Sequence, residues 1–190
     1  DNNYIEDVYQ GIPVNGYTEI FKKLLKGSKV KLNTSYKDID GEIKVDKIIY
    51  TGMIDEYFDY KFGALEYRGL KFRNVEKKCS NYQGCAIINY PGDEVSYTRS
   101  VEHKHFIKNK TLPITVITYE IPIKYVVGKN QIPYYPIQDD KNSKLYDKYL
   151  KLTKKIPNIY FGGRLGSYRY YEMDDTIKSS LKLTKKLLYD

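Results

Sequence analysis

The spacing of apolar residues predicts one helix and two strands in the first third of the chain. From Gly16 to Lys26 the apolar positions recur at helical intervals, and Gly27 is a natural stop for that helix. The segment "KVKLNTSY" (29–36) alternates apolar and polar residues, which predicts a strand. The run "DKIIYTG" (46–52) is typical of a buried strand that ends at a glycine and delivers a loop to a ligand.

The middle of the chain, from about residue 64 to residue 125, favours an antiparallel sheet. Alternating segments are separated there by breaks rich in Gly, Asn, Pro or Lys; they are "LEYRGLKFRNVE", "GCAIINY", "VSYTRSVEHKHF" and "ITVITYEIP". Alternation of this kind is the pattern of antiparallel strands with one face buried. We therefore expect an antiparallel sheet at the centre of the fold.

The last third of the chain predicts a helix, a strand and a second helix. Helical spacing starts at Asp139, and Pro157 follows the end of that helix. "NIYFGG" (158–163) is typical of a last buried strand, and Asp174 is the expected N-cap of a final helix through Leu188. The strands at 46–52 and 158–163 lie outside the antiparallel block. They either pair with each other or belong to a sheet whose other strands are absent.

Composition and charge narrow the classes of function only slightly. The 190 residues carry a formal net charge of +8, but the lysines are scattered among acidic residues and no nucleic-acid motif occurs. The sequence contains 22 Tyr and no Trp. An excess of tyrosine suits polar ligand pockets, although a general bias toward Lys, Asn, Ile and Tyr explains it as well. A generally basic surface, with no nucleic acid as partner, is the better interpretation.

The cysteine count and the hydropathy of the sequence indicate in which cellular compartment we expect the protein. Cys79 and Cys85 are the only cysteines, too few for a zinc site but close enough to leave a local disulfide open. The lack of a visible signal peptide favours the cytoplasm and free thiols, although the chain begins at Asp1 without a Met. No stretch of 18 apolar residues occurs, so we expect no membrane span in this chain and no membrane partner.

Two segments of the middle block carry candidate chemistry. In "YTRSVEHKHF" (97–106), Arg99 is a candidate ligand for an anion or a member of a surface ion pair. His103 and His105 would face the same way on a strand, but zinc needs a third ligand, so we expect structural histidines and no metal. In "IPYYPI" (132–137) the prolines hold two tyrosines in a rigid extended loop, which serves either as a ligand contact or as a connector.

The segment "FGGRLGSYRYYEMDD" (161–175) combines paired glycines, two arginines and several tyrosines. Glycines at a strand end let the backbone approach a ligand, and the helix that follows favours an anion at its N-terminus. From the residues alone this is either an anion site or a surface turn that leads into a helix. Neither a GxGxxG fingerprint nor a Walker A motif occurs in the sequence.

Five segments taken together resemble the UDP-galactopyranose mutase family in order and in spacing. They are "YQGIPVNGYTEIFKKLL", "IIYTGMIDEYFDYKFGALEYRGLKF", "VSYTRSVEHKHF", "YYPIQDDKN" and "FGGRLGSYRYYEMD". The resemblance runs from about Tyr9 to the last helix. It implies a flavin-dependent isomerase that interconverts UDP-galactopyranose and UDP-galactofuranose, and that supplies galactofuranose for surface polysaccharides. In this family the N5 atom of reduced FAD forms a covalent adduct with the anomeric carbon of galactose.

The resemblance covers only the C-terminal half of the family's chain. It implies an α+β/α/β fold, in which an antiparallel substrate sheet is joined to the returning strands and C-terminal helix of a Rossmann-like FAD-binding domain. The implied segments are the end of the helical domain and a connecting strand (1–45), a return segment of the FAD domain (46–63), the antiparallel sheet domain (64–137) and the final FAD-domain strand and helices (138–190). The GxGxxG region that anchors FAD would be a missing partner, which leaves this chain inactive alone.

The resemblance also implies a substrate site. Arg99, as a diphosphate ligand, is expected to contribute to catalysis. Tyr135 and Tyr170 match tyrosines whose hydroxyls hold the same diphosphate. Tyr9 matches a further tyrosine on the substrate side, and Arg68 and Asn89 match residues near the substrate or the flavin, which we expect to bind the substrate.

A cofactor site follows in the same way. Arg164 matches a catalytic arginine beside the flavin, where its charge favours the anionic reduced form. Gly162 and Gly163 would let the backbone pass close to FAD. Glu172 is implied as a further contact of the cofactor. At this position the sequence departs from the family, which usually has Asp there. Glu120 matches a carboxylate of partly structural weight.

Two other interpretations stay open. The chain is alternatively a non-catalytic module that binds UDP-sugars or other anions through Arg99, Tyr135 and Tyr170. A nucleic-acid-binding domain is suggested by the net charge alone. The resemblance leaves a homodimer open.

Overall fold

The computed structural model describes residues 7–42, 44–107 and 112–189. Its helices are α1 Tyr17–Leu24, α2 Tyr36–Ile39, α3 Ile54–Tyr57, α4 Asp140–Thr153, α5 Gly163–Gly166 and α6 Met173–Tyr189. Its strands are β1 Ile48–Tyr50, β2 Tyr67–Lys77, β3 Ile87–Asn89, β4 Arg99–Glu102, β5 Thr115–Lys124, β6 Pro133–Pro136 and β7 Ile159–Phe161.

The region before β1 contains one confirmed and one wrong prediction. Helix α1 forms where its apolar spacing predicts it, and Gly27 follows with a left-handed φ of 85°. The predicted strand at 29–36 does not form. Instead, Asn33 turns the backbone with a φ of 52°, and the Ser35 side chain caps α2 in a capping box with Asp38. Local capping has therefore overridden the alternating pattern.

The central block forms a five-stranded sheet, in the order β3–β4–β5–β2–β6. The β3–β4 and β2–β6 pairs are antiparallel, as the alternating pattern predicts. The segment "IPYYPI" supplies β6, so it is a strand of this sheet and not a free loop. His103 and His105 lie in a 3₁₀ turn that follows β4, so the prediction that both lie on a strand was wrong. No cluster of three or more His, Cys, Asp and Glu side chains within the described ranges could hold a metal ion.

Strands β1 and β7 pair with each other as a separate two-stranded parallel sheet. The first alternative, that the two strands pair with each other, therefore holds, and the second, that they belong to a sheet with further strands, stays a prediction. Parallel strands normally have both faces covered, because their connections place helices on the sheet. The β1–β7 pair leads directly into α5 and the candidate site.

The chain divides into two compact units, and each is described by itself. The first comprises 74–91, 99–119 and the described part of the first 43 residues; the second comprises 44–73, 92–98 and 120 onward. In the first unit the buried positions include Val101, Ile117 and Glu102. The four domain boundaries expected from the resemblance stay predictions.

The core of the second unit is built largely from tyrosine. Its buried members are Met53, Ile54, Leu65, Tyr67, Tyr149 and Tyr168. Each buried ring brings a hydroxyl that needs a partner. The Tyr149 hydroxyl donates to the Gly63 carbonyl at 2.6 Å, and the Tyr168 hydroxyl contacts the carbonyls of Glu66 and Ile137 at 2.7 and 2.9 Å. These bonds join α4 and the turn after α5 to the start of β2.

The two long helices differ in how well their starts were predicted. Helix α4 begins at Asp140, next to the predicted start at Asp139, and the Asp139 side chain caps it by accepting from the amide of Asn142. Helix α6 begins at Met173, so Asp174 lies in its first turn and is not the cap. No helix in the described part of the chain has the length and apolar character needed to cross a membrane.

Candidate functional site

Arg164 is fixed by backbone partners directly after strand β7. It lies in the single-turn helix α5, where one terminal nitrogen donates to the Tyr134 carbonyl at 3.1 Å and the other donates to the Tyr171 carbonyl. These bonds use two of the five N–H donors of the guanidinium. The planar fork is thereby held between strand β6 and the segment that precedes α6. A lysine could not reproduce this arrangement.

Two tyrosine rings lie against the same guanidinium. The Arg164 Cζ atom is 5.1 Å from the ring centroid of Tyr135 and 4.9 Å from that of Tyr170. The two rings stack on each other with their centroids 5.6 Å apart and an interplanar angle of 26°. Contacts between a cation and an aromatic face at these distances are attractive. The structure therefore brings together three residues predicted for the site, which lie up to 35 positions apart in sequence (135 to 170).

Glu172 completes this group through Tyr170. The Tyr170 hydroxyl donates to the Glu172 Oε1 atom at 2.7 Å. This hydrogen bond is the main cause that raises the pKa of the Tyr170 hydroxyl above its ordinary value, while Arg164 opposes the shift. We call Tyr135, Arg164, Tyr170 and Glu172 the Arg164 cluster. Glu172, expected at the cofactor, thus contacts a residue expected at the substrate.

Arg68 lies beside this cluster in the sheet. Its Cα is the partner of the Tyr135 Cα in the antiparallel β2–β6 register, and the register shifts between Arg68 and Gly69. Residues that are directly opposite each other in an antiparallel pair place their side chains on the same face. The exposed Arg68 side chain therefore projects from the face that carries Tyr135.

The paired glycines line a cavity of about 360 Å³ between the β1–β7 sheet and α6. A Cβ atom on Gly162 would meet Leu183 at 3.5 Å, and one on Gly163 would meet Thr51 at the same distance. Gly163 also has a left-handed φ of 70°, which disfavours any side chain there. Glycine thus keeps this wall open.

These donors and walls fit part of a dinucleotide cofactor. An apolar cavity with bare backbone beside it suits a flat ring system, and the nearby Arg164 suits an anionic one. A pyrophosphate needs a further cradle of amide groups, and the sequence lacks the glycine-rich loop that usually supplies it. The residues present therefore fit a flat, anionic ring system but not the pyrophosphate of such a cofactor.

Arg99 and Asn89 form a pair of their own in the first unit. They are Cα partners in the β3–β4 register, and the Arg99 Nε atom donates to the Asn89 side-chain oxygen at 2.9 Å. This bond orients the guanidinium and leaves its terminal nitrogens to other partners. Glu120 lies in the second unit, where its carbonyl accepts from the Thr98 amide at 2.9 Å.

Tyr9 lies in the first unit before α1, and 94% of its surface is exposed. Cys79 and Cys85, for which a local disulfide was left open, are free thiols. Among the predicted site residues, Tyr135, Arg164, Tyr170 and Glu172 thus form one cluster within the second unit, and Arg99 pairs with Asn89 within the first.

Sequence reasoning missed the residue that organises the loop before β3. Glu102 is fully buried, and its carboxylate accepts from the amides of Tyr82 and Gln83 at distances down to 2.8 Å. Burial by itself raises the pKa of Glu102, but the two amides and His105 outweigh it, so the pKa lies below its ordinary value. The sequence offers one signal for this residue. Glu102 directly follows the apolar Val101 in the segment that also contains Arg99.

Comparisons with known proteins point to one family. The family model described as UDP-galactopyranose mutase matches residues 1–170. A dTDP-fucopyranose mutase of Escherichia coli is 36% identical over 190 residues, which is 96% of this chain and 50% of that protein. A UDP-galactopyranose mutase of Mycoplasma genitalium is 32% identical, over 98% of this chain and 50% of its own length. The chain spans about half the length of the curated relatives it matches.

A solved structure supports the fold. The crystal structure of a reduced UDP-galactopyranose mutase matches with a TM-score of 0.61 and 14% identity, over 77% of this chain and 41% of that chain. A match at 14% identity shows the fold alone. That fold is a mixed α/β arrangement with an antiparallel sheet and a parallel pair of strands. The family model and the two relatives decide the family: the chain belongs to the UDP-galactopyranose mutase family.

Proposed function

We propose that this chain supplies substrate-facing and flavin-facing residues of a mutase that interconverts UDP-galactopyranose and UDP-galactofuranose. The observation that carries the proposal is the Arg164 cluster, in which a guanidinium is clamped by two carbonyls against two tyrosine rings. This arrangement holds a positive charge and two hydroxyls rigidly at the end of β7. It lies next to the glycine-lined cavity, since Arg164 belongs to the cavity wall.

The residues have different tasks in this proposal. The Arg99 fork and the hydroxyls of Tyr135 and Tyr170 bind the substrate diphosphate, because charged and neutral donors together match phosphate oxygens. Arg164 holds a positive charge at the flavin edge and favours the anionic reduced form. Reduced FAD, when bound, supplies the nucleophile for the anomeric carbon of the sugar. Gly162 and Gly163 permit the close approach of that ring.

In this proposal, activity depends on the N-terminal half of the family's chain, which these 190 residues do not cover. A cavity without a pyrophosphate cradle leaves FAD with little phosphate contact, so the 190 residues alone should be colourless and inactive. With the N-terminal half of a family member added, FAD binding and turnover should appear. Homodimer formation and a cytoplasmic location stay predictions.

The test is a turnover assay under reducing conditions on the 190 residues joined to the N-terminal half of a family member, which is the intact protein in the experiments that follow. The intact protein with FAD and dithionite is given UDP-galactofuranose, and the formation of UDP-galactopyranose is followed by chromatography. We expect turnover, its loss in oxidising buffer, and a drop of at least about a hundredfold in Arg164→Ala, because a preorganised charge is removed. A yellow one-to-one complex of FAD with the 190 residues alone would contradict the proposed dependence. Full turnover without reductant would contradict the mechanism.

A second substrate is favoured by one comparison. The relative at 36% identity is named dTDP-fucopyranose mutase, and the sequence of this chain does not separate the two activities. Both names describe a pyranose attached to a nucleoside diphosphate, so the diphosphate contacts proposed above serve either. Parallel assays with dTDP-fucofuranose and UDP-galactofuranose, compared by kcat/KM, decide which sugar nucleotide is preferred. Tight binding of UDP with turnover of neither substrate would favour the non-catalytic binding module.

A further inference from the structure

The hydroxyl of Tyr170 is already engaged by an anion within the chain. A tyrosine hydroxyl has one proton to donate, and Tyr170 donates it to the Glu172 carboxylate at 2.7 Å. The same proton cannot be given to a phosphate oxygen at the same time. A diphosphate that uses the Tyr170 hydroxyl as donor must therefore replace Glu172 as its acceptor.

The tyrosine is the fixed member of this pair, and the glutamate is the mobile one. The Tyr170 ring is held on one face by Tyr135 and contacts the Arg164 guanidinium, which is itself bonded to two carbonyls. Glu172 is exposed. Its long side chain has three rotatable bonds, so the carboxylate can leave the hydroxyl without movement of the backbone. Exchange of the acceptor therefore needs movement of Glu172 only.

We propose that Glu172 is a positioning residue that occupies the Tyr170 hydroxyl in place of substrate phosphate and is displaced when the diphosphate binds. The inference rests on the proposed function, because it takes Tyr170 as a diphosphate ligand. Glu172 acts twice against binding: it competes for the hydroxyl, and its negative charge repels the incoming anion. While no ligand is bound, the hydrogen bond to Glu172 holds the Tyr170 hydroxyl in one orientation.

The test measures binding of UDP to the intact protein with oxidised FAD by titration calorimetry. Glu172→Ala removes both the competitor and the charge, so we expect UDP to bind about three- to tenfold more tightly, the scale of a hydrogen bond to a partly exposed charge. Glu172→Gln keeps an acceptor but loses the charge, and it should give a smaller gain. Asp174→Asn, which removes one charge two positions away, is the matched control and should leave UDP affinity unchanged. A gain in affinity is not a result that structural damage produces.

A double-mutant cycle shows whether Glu172 acts through Tyr170. In a Tyr170→Phe background the hydroxyl is gone, so Glu172→Ala should lose most of its effect on UDP affinity. The inference is overturned if Glu172→Ala weakens binding, if Asp174→Asn gives an equal gain, or if the full gain persists in the background that lacks the hydroxyl. Failure of the proposed function has a different signature, namely that the wild-type protein does not bind UDP at all.

Discussion

At the scale of single residues, the polar side chains that hold this chain together bond mainly to the backbone. The Arg164 nitrogens bond to the carbonyls of Tyr134 and Tyr171, and the Tyr168 hydroxyl contacts the carbonyls of Glu66 and Ile137. A carbonyl belongs to every residue and leaves no signal in the sequence. A motif in the sequence therefore predicts Arg164 as a site residue, whereas the contacts that fix the direction of its side chain could not be predicted.

Glu102 gives the prediction that belongs to this scale. Its buried carboxylate accepts two amides, and a Gln side chain there would turn a donor toward one of them. We expect Glu102→Gln to lower the free energy of unfolding by about 1–3 kcal/mol at neutral pH, the scale of a buried polar group left without its partner. Urea denaturation followed by circular dichroism measures the change. The exposed Glu94, replaced by Gln, is the control and should change stability by less than about 0.5 kcal/mol.

The same substitution should alter the response to acid. The pKa of Glu102 is lowered in the folded chain, so its carboxylate contributes stability that is fully present above the ordinary glutamate pKa of about 4.3. That contribution is lost as the pH falls through the lowered value. The difference in stability between the wild type and Glu102→Gln should accordingly shrink between pH 6 and pH 3. A constant difference across this range would mean that the carboxylate charge is not what stabilises the loop.

At the scale of elements, the sequence predicts whether a segment is a helix or a strand better than it predicts which strands pair. Helices α1 and α4 and strands β1 and β7 lie where the spacing of apolar residues predicts them. The strand predicted over 29–36 does not form, because local capping at Ser35 takes precedence. An alternating pattern gives a strand only if a neighbouring strand is available. The pairing of β1 with β7 joins segments about 110 residues apart (48 to 159), and no local pattern encodes such a contact.

Two glycines after β7 allow structural and functional roles to be separated. An alanine Cβ at Gly162 would meet Leu183 at an ordinary 3.5 Å, so Gly162→Ala should change the free energy of unfolding by less than about 0.5 kcal/mol. Its added methyl narrows the cavity, so we expect FAD affinity in the intact protein to fall about tenfold, measured by quenching of flavin fluorescence. At Gly166 the Cβ would lie 2.9 Å from the Tyr50 carbonyl oxygen, and Gly166→Ala should cost about 1–3 kcal/mol. Unchanged FAD affinity in Gly162→Ala would place the cofactor elsewhere.

At the scale of the whole molecule, the chain exposes apolar surface in stripes. Met173, Ile177 and Leu181 recur every four residues on α6 and are each more than 60% exposed, and helix α1 has no buried residue at all. Contiguous apolar stripes on a soluble chain normally mark a surface that something else covers. The chain spans about half the length of its curated relatives, and the uncovered half of the family is the partner that the proposed function requires.

Leu181 tests whether that half packs on α6. In the 190 residues alone Leu181 is exposed, so Leu181→Asn should cost only the helix propensity of Asn, about 0.5 kcal/mol. Lys185 on the same helix is also exposed, and Lys185→Asn should cost about the same. If the remainder of the family's length buries this stripe, the intact protein loses the transfer free energy of a leucine side chain in addition. Leu181→Asn should then lower its free energy of unfolding by about 2 kcal/mol more than Lys185→Asn does. Equal effects of the two variants in the intact protein would mean that the stripe stays in solvent and that the remainder of the family's length does not pack on this face of α6.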